Sequence, residues 1–354
     1  MIVPAGVLVA AILVIAGGYV IFNDSSGGSG GLNSGSGSGS GDYVEPSESY
    51  AQDFMPEINV KSDELTRNAP VPFTVGDKYR YQTTMQSTYS QYSPDDYEEV
   101  GEVIVNPQTG KPERVTTTRP REGAVEVNET HTETMETGFS VDKIERFEGR
   151  DCYVISSKIK REISGEEKAD MRKYMSDAEV ERQIEEMEEM MEQQKTLFYY
   201  DRDTGKTMQV KMNMGGANMT FTEGMAEFFA DTGIGGLMGG GSMFAGWMLA
   251  LDKDFTWKQE IEIMEKLGSG STTGGTATIT YKVIDVEKAN GRDCFKVEVE
   301  GTFKEDVNNK NNYDTPGDKL EMLVWVDVDK RISVKQQIKS GNFMSTETNL
   351  VEGI

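Results

Sequence analysis

Along much of the chain, apolar and polar positions alternate with a period of two. Tyr79, Tyr81 and Thr83 are interleaved with Arg80 and Gln82, Val125 and Val127 with Glu126 and Asn128, and Val297 and Val299 with Glu298 and Glu300. Successive side chains of a strand point to opposite faces, so this pattern predicts antiparallel sheet with one face buried and one wet. Turn signals separate the runs at Asn106-Pro-Gln-Thr-Gly110, Glu148-Gly149, Asp203-Thr-Gly205 and Asn290-Gly291. One segment keeps the helical period instead. Ser176-Asp-Ala-Glu179 has capping-box spacing, and Val180, Ile184, Met187 and Met191 follow as an apolar stripe opposite a glutamate-rich face.

Two stretches break both periods. Met1 to Phe22 carries no charged side chain, and about 20 apolar residues in a helix match a hydrocarbon slab ~30 Å thick. This predicts an uncleaved membrane anchor with the remainder of the chain outside. A cleaved signal peptide is the alternative, but no basic residue precedes the run and Tyr19-Val-Ile-Phe22 prolongs it. Asn23 to Gly41 is nearly all Ser and Gly, a flexible tether. Asp42 to Pro72 reads as an acidic linker with a short helix near Ser62-Asp-Glu-Leu65.

The second stretch, from about Met214 to Leu251, has no charge between Asp231 and Asp252. Gly is mixed there with Ile234, Leu237, Met238, Met243, Phe244, Trp247, Met248 and Leu249. Its glycine content argues against a second membrane span. Core filling is the plain reading; a mobile lid over an apolar pocket is the sharper one, because such pockets need pliable walls. On the sharper reading Phe228, Phe229, Leu237, Met238, Met243, Phe244 and Trp247 are the ligand-binding residues.

The chain also resembles itself. Gly149-Arg-Asp-Cys-Tyr153 recurs as Gly291-Arg-Asp-Cys-Phe295, and Val141-x-x-Ile144-Glu-Arg146 as Val283-x-x-Val286-Glu-Lys288. Phe73-Thr-Val75, with Tyr79 and Tyr81, resembles Phe255-Thr-Trp257, with Ile261 and Ile263. Leu197-Phe-Tyr-Tyr-Asp-Arg-Asp203 corresponds loosely to Val324-Trp-Val-Asp-Val-Asp329. Repetition in fixed order predicts tandem modules. The expected organisation is an anchor at 1–22, a linker at 23–72, a first β module with helical insertions at 73–252 and a second at 253–354.

Composition narrows the chemistry. With 60 Asp and Glu against 36 Lys and Arg the formal charge is -24, which argues against a nucleic-acid partner. One histidine, His131, and two cysteines, Cys152 and Cys294, leave little for a metal centre or a His-assisted nucleophile. No cofactor, metal or enzymatic activity is expected. The cysteines occupy matching places in the repeat, and a disulfide or two separately buried thiols are both open. Asp201-x-Asp203-x-Gly205 lacks the distal Glu of a calcium loop and reads as a hairpin. Loop 308–318 is expected to be exposed. Asn128-Glu-Thr130, Asn218-Met-Thr220 and Asn23-Asp-Ser25 are glycosylation sequons.

Gly149 to Val154, Phe198 to Met208 and Gly291 to Val297 form a Gly-x-x-Cys-aromatic hairpin followed by a Tyr-Tyr-Asp-x-x-Thr-Gly hairpin. This pair resembles the LolA/LolB-like lipoprotein-carrier superfamily, over residues 73–351 in two copies. The resemblance implies two tandem curved half-barrel-like sheets, each able to hold acyl chains, with the Met/Gly segment as the lid. A membrane-anchored duplicate departs from the soluble carriers of that family. The expected function is non-enzymatic binding of a lipid or other apolar ligand at the cell surface. The alternative is a structural or adhesive surface protein that meets envelope or protein partners without a small ligand.

Overall fold

The computed structural model describes residues 57–92, 97–105, 112–120, 126–161, 163–173, 175–193, 195–214, 217–231, 243–266, 272–305, 319–340 and 344–353. The anchor at 1–22, the Ser/Gly tether, Leu237, Met238 and loop 308–318 lie outside the described residues. The chain runs β1 (Glu57–Ser62), β2 (Lys78–Tyr92), β3 (Tyr97–Val105), β4 (Pro112–Pro120), β5 (Glu126–Phe147), β6 (Arg150–Arg161), α1 (Gly165–Met171) and α2 (Asp177–Gln193). It continues with β7 (Lys195–Asp201), β8 (Thr207–Met214), β9 (Ala217–Thr222), α3 (Glu223–Asp231) and a 3-10 turn (Gly246–Ala250). The last six strands are β10 (Thr256–Lys266), β11 (Thr272–Ala289), β12 (Arg292–Glu305), β13 (Lys319–Asp327), β14 (Ser333–Ser340) and β15 (Met344–Gly353).

Two tandem half-barrels are not what these strands build. Thirteen of them form one antiparallel sheet in the order β1-β10-β11-β12-β13-β14-β15-β2-β5-β6-β7-β8-β9, and β3 pairs with β4 alone. The sheet is open, because its end strands β1 and β9 do not pair with each other. The expectation fails at one junction. β15 is antiparallel to β2 from Met344↔Ser87 to Gly353↔Tyr79, so the edge that would have closed each module is used to join them. An unpaired edge exposes a row of backbone donors and acceptors, and this junction removes two such edges. Thr83 and Thr348 hydroxyls, buried and 2.9 Å apart, tie the seam on its inner face.

Residues 57–62, read as linker, become the edge strand β1 against β10, and no helix forms at 62–65. The predicted alternation is present in β2, where Tyr79, Tyr81 and Thr83 are buried while Arg80 and Gln82 are exposed. The capping box also forms, with the Ser176 N–H donating to Glu179 at 3.0 Å. Val180 of α2 is buried. Its helix packs on β6, whereas α3 packs on β8 and β9 and also touches β1.

The same local geometry occurs twice along the sheet. Glu148 and Gly149 have φ of 48° and 81°, Asn290 and Gly291 of 47° and 79°; two positive φ values make the tight hairpin turn that favours glycine. A register shift follows Val141 in β5 and Val283 in β11. Arg150 donates to Asp201 at 2.9 Å and Arg292 to Asp327 at 3.0 Å. The other carboxylate oxygen of Asp201 accepts from the N–H groups of Asp203 and Thr204, and that of Asp327 from those of Asp329 and Lys330. The Asp77 carbonyl accepts from Val141 and the Phe255 carbonyl from Val283. Asp77 and Phe255 therefore share a place, four residues from the Phe73–Phe255 match suggested by sequence.

Candidate functional site

The uncharged stretch lies where the inner face of the sheet is most apolar, and its described part is residues 243–251. Two clusters meet there. One gathers Phe73, Tyr79, Tyr81, Phe139, Ile155 and Tyr200 around Met243, Phe244 and Leu249. The other gathers Phe255, Trp257, Tyr281, Val297 and Val324 around Trp247, Met248 and Leu251. The Phe244 ring stands edge-on to Phe73 (4.9 Å) and to Tyr200 (5.2 Å), while Trp247 lies 5.0 Å from Tyr281. Such contacts contribute beyond area burial.

Its backbone is satisfied by the surrounding core. The Met243 carbonyl accepts from the Ser333 N–H at 2.9 Å, and the Phe244 carbonyl from the Tyr200 hydroxyl at 3.2 Å. Asn68 donates through its backbone to Leu249 and through its side chain to Ala250 and Leu251, and Arg331 donates to the Leu251 carbonyl at 2.8 Å. Gly205 sets how close the chain can come. Its φ is +66°, and a Cβ there would lie 2.7 Å from Leu249 Cδ1 and 3.1 Å from Phe244 Cζ.

Of the residues expected to bind a ligand, the structure thus brings Met243, Phe244 and Trp247 together as packed interior, with Phe244 fully buried. Phe228 and Phe229 fall in α3. Cys152 and Cys294 are free, buried thiols in two separate clusters, one with Val154 and Tyr199 and the other with Trp325 and Val334. Of the two alternatives open for them, the structure shows the unbonded one. Burial, helped for Cys152 by Asp201 and Asp151, pushes both thiols up to about 11.

A groove of about 440 Å³ that no sequence pattern signalled lies beside α2, bordered by Met135, Ile159 and Met191 but also by Glu136, Lys160, Arg161 and Glu188. Helix α2, in the insertion between β6 and β7, packs on β6 and supplies Glu188 and Met191 to the wall of the groove. With four charged residues around it, this groove is poorly suited to an apolar ligand.

The wet face carries a second polar arrangement. Glu347 accepts from Asn349 and Gln337 and pairs with Lys335, and these partners, Asn349 first, hold its carboxyl down to about 2 against the opposing effect of burial. Lys296 and Lys335 lie over the Trp325 ring at 5.3 and 5.4 Å, and the Trp325 indole donates to Glu287 at 2.7 Å. Among the described residues no group of three or more His, Cys, Asp or Glu could hold a metal ion, and no helix is long and apolar enough to cross a membrane.

The chain matches no protein-family model and no curated protein. Among solved structures it is similar to a candidate lipoprotein from Parabacteroides distasonis, at 10% identity and a TM-score of 0.31 over 82% of this chain and 100% of that one. It is also similar to a candidate exported protein of YmcC-like fold from Bacteroides fragilis, at 10% identity and a TM-score of 0.26 over 81% and 99%.

Proposed function

We propose that this chain is a non-enzymatic envelope protein, hung from the membrane by residues 1–22, which offers the wet face of its sheet to a protein or envelope partner and holds no small ligand. The observation that carries this reading is the built-in state of residues 243–251. A lid must leave to admit a ligand. This segment is hydrogen-bonded at Met243, Phe244, Leu249, Ala250 and Leu251 and contributes side chains to both main clusters. Opening it would expose Phe244, Trp247, Met248 and Leu249 together, at about 1.5–3 kcal/mol for each large apolar side chain. A lipid-carrier reading would need that opening, and the groove beside α2 is too charged to stand in for it.

The uncharged leader and the Ser/Gly spacer support a tethered domain outside the membrane, and the charge of -24 supports a partner other than nucleic acid. The matched hairpins, bulges and Arg–Asp pairs support an origin by duplication, with the copies fused through β15 and β2. The test is protease treatment of intact cells combined with cross-linking from a photoreactive residue at Gln337, on the wet face. Release of the folded domain and a reproducible cross-linked envelope partner is the expected result. A domain digested only after lysis, or cross-links no different from those of a scrambled surface, would overturn it.

A further inference from the structure

Both sequons that fall among the described residues lie where the sheet runs out of neighbours. β2 and β5 stay paired as far as Tyr92↔Glu126. β15 leaves β2 at Ser87, and β6 leaves β5 at Met135. Asn128, paired with Ser90, therefore sits in a two-strand ribbon that has left the sheet. Asn218, paired with Asn213, sits on β9, the terminal strand. The third residue of each sequon is exposed: Thr130, whose hydroxyl lies 3.3 Å from that of Thr88, and Thr220. Thr130 follows Asn128 by two residues along β5, and Thr220 follows Asn218 by two along β9.

We propose that Asn128 and Asn218 are N-glycosylation sites whose glycans shield the ribbon and the free edge of the sheet. This rests on the reading above that the domain lies outside the membrane. The donor is an oligosaccharide linked through phosphate to an isoprenoid lipid. The Asn amide nitrogen forms a bond to the anomeric carbon, the bond from that carbon to the phosphate oxygen breaks, and the amide proton leaves as the lipid phosphate is released. Nothing is oxidised or reduced. The placement also answers a physical need. An exposed terminal strand is a template for pairing with other chains, a two-strand ribbon has little stability of its own, and a bulky hydrophilic group on each hinders edge-to-edge association.

Glycopeptide mapping of the full chain, purified from the cells that make it, tests the assignment. The expected result is a glycan on the peptides holding Asn128 and Asn218, with Thr130→Ala removing the first alone and Thr220→Ala the second alone. Bare peptides at both sites would overturn it. Protease treatment of the same intact cells separates the two ways of failing. If the domain is shaved from the surface and the peptides are bare, the sites are wrong and the outside reading stands. If the domain is protected until lysis, both are wrong.

Discussion

At the residue scale, the account turns on how closely side chains meet the segment 243–251. Gly205→Ala must accept a left-handed backbone at a cost of ~1–2 kcal/mol and also push Leu249 and Phe244 aside, with overpacking adding about 1–3 kcal/mol. Gly291→Ala faces the same backbone strain, but nothing lies within 4 Å of its Cβ. Denaturant unfolding should therefore show the Gly205 variant less stable than the Gly291 variant; equal losses would mean that the segment is loosely seated. The thiols give a second prediction. Folding raises both from 9.0 to about 11, so it favours the protonated form. That contribution is intact below pH 9 and is lost as the pH rises toward 11. Cys152 and Cys294 should resist an aromatic disulfide reagent at pH 8 in the native protein and both react after unfolding. Glu347 behaves in the opposite sense, stabilising above its usual 4.5 and less so as the pH falls toward 2. Its side chain is 43% exposed, so Glu347→Gln should cost no more than ~1 kcal/mol at neutral pH while flattening the acid limb of a stability–pH curve.

At the scale of elements, the sequence was readable wherever a local rule decides the outcome. The alternation of β2 and β12, the two hairpin turns at Gly149 and Gly291 and the capped helix α2 are set by neighbours within a few residues. The junction between β15 and β2 was not readable, because it pairs residues more than 250 positions apart. A polar strand such as Met344–Gly353 signals which face is wet, not which strand lies beside it. The strand at Glu57–Ser62 was hidden for a related reason: its six residues show only Ile58 and Val60 as an alternating pair. Of the candidate site, the apolar character of the Met/Gly stretch was visible, but whether it fills or covers depends on Asn68, Tyr200 and the Arg331–Ser333 turn, which come from three distant places. The seam can be checked chemically. Gln82 and Asn349 face each other across it, and Gln82→Cys with Asn349→Cys should form an intramolecular disulfide on mild oxidation without loss of fold. Absence of that bond, where a control pair at Gln337 and Glu347 within the β14–β15 hairpin does form one, would disprove the seam.

At the scale of the molecule, one ladder of thirteen strands and one segment shared by two clusters make the structure a single body. The two end strands, β1 and β9, each have a single neighbour in the sheet, and α3 lies against β8 and β9 and reaches β1. The face opposite the two main clusters carries Lys335, Gln337, Glu347 and Asn349, with the buried Trp325 ring between Lys296 and Lys335. Such a surface suits contact rather than capture. Native mass spectrometry of the full chain, purified in mild detergent, tests that claim most directly. The account predicts the mass of the chain and its covalent modifications alone, with no lipid lost on activation and no uptake of an added fatty-acid probe. A stoichiometric lipid that disappears when Trp247 is replaced by Ala, in a protein that still folds, would contradict it.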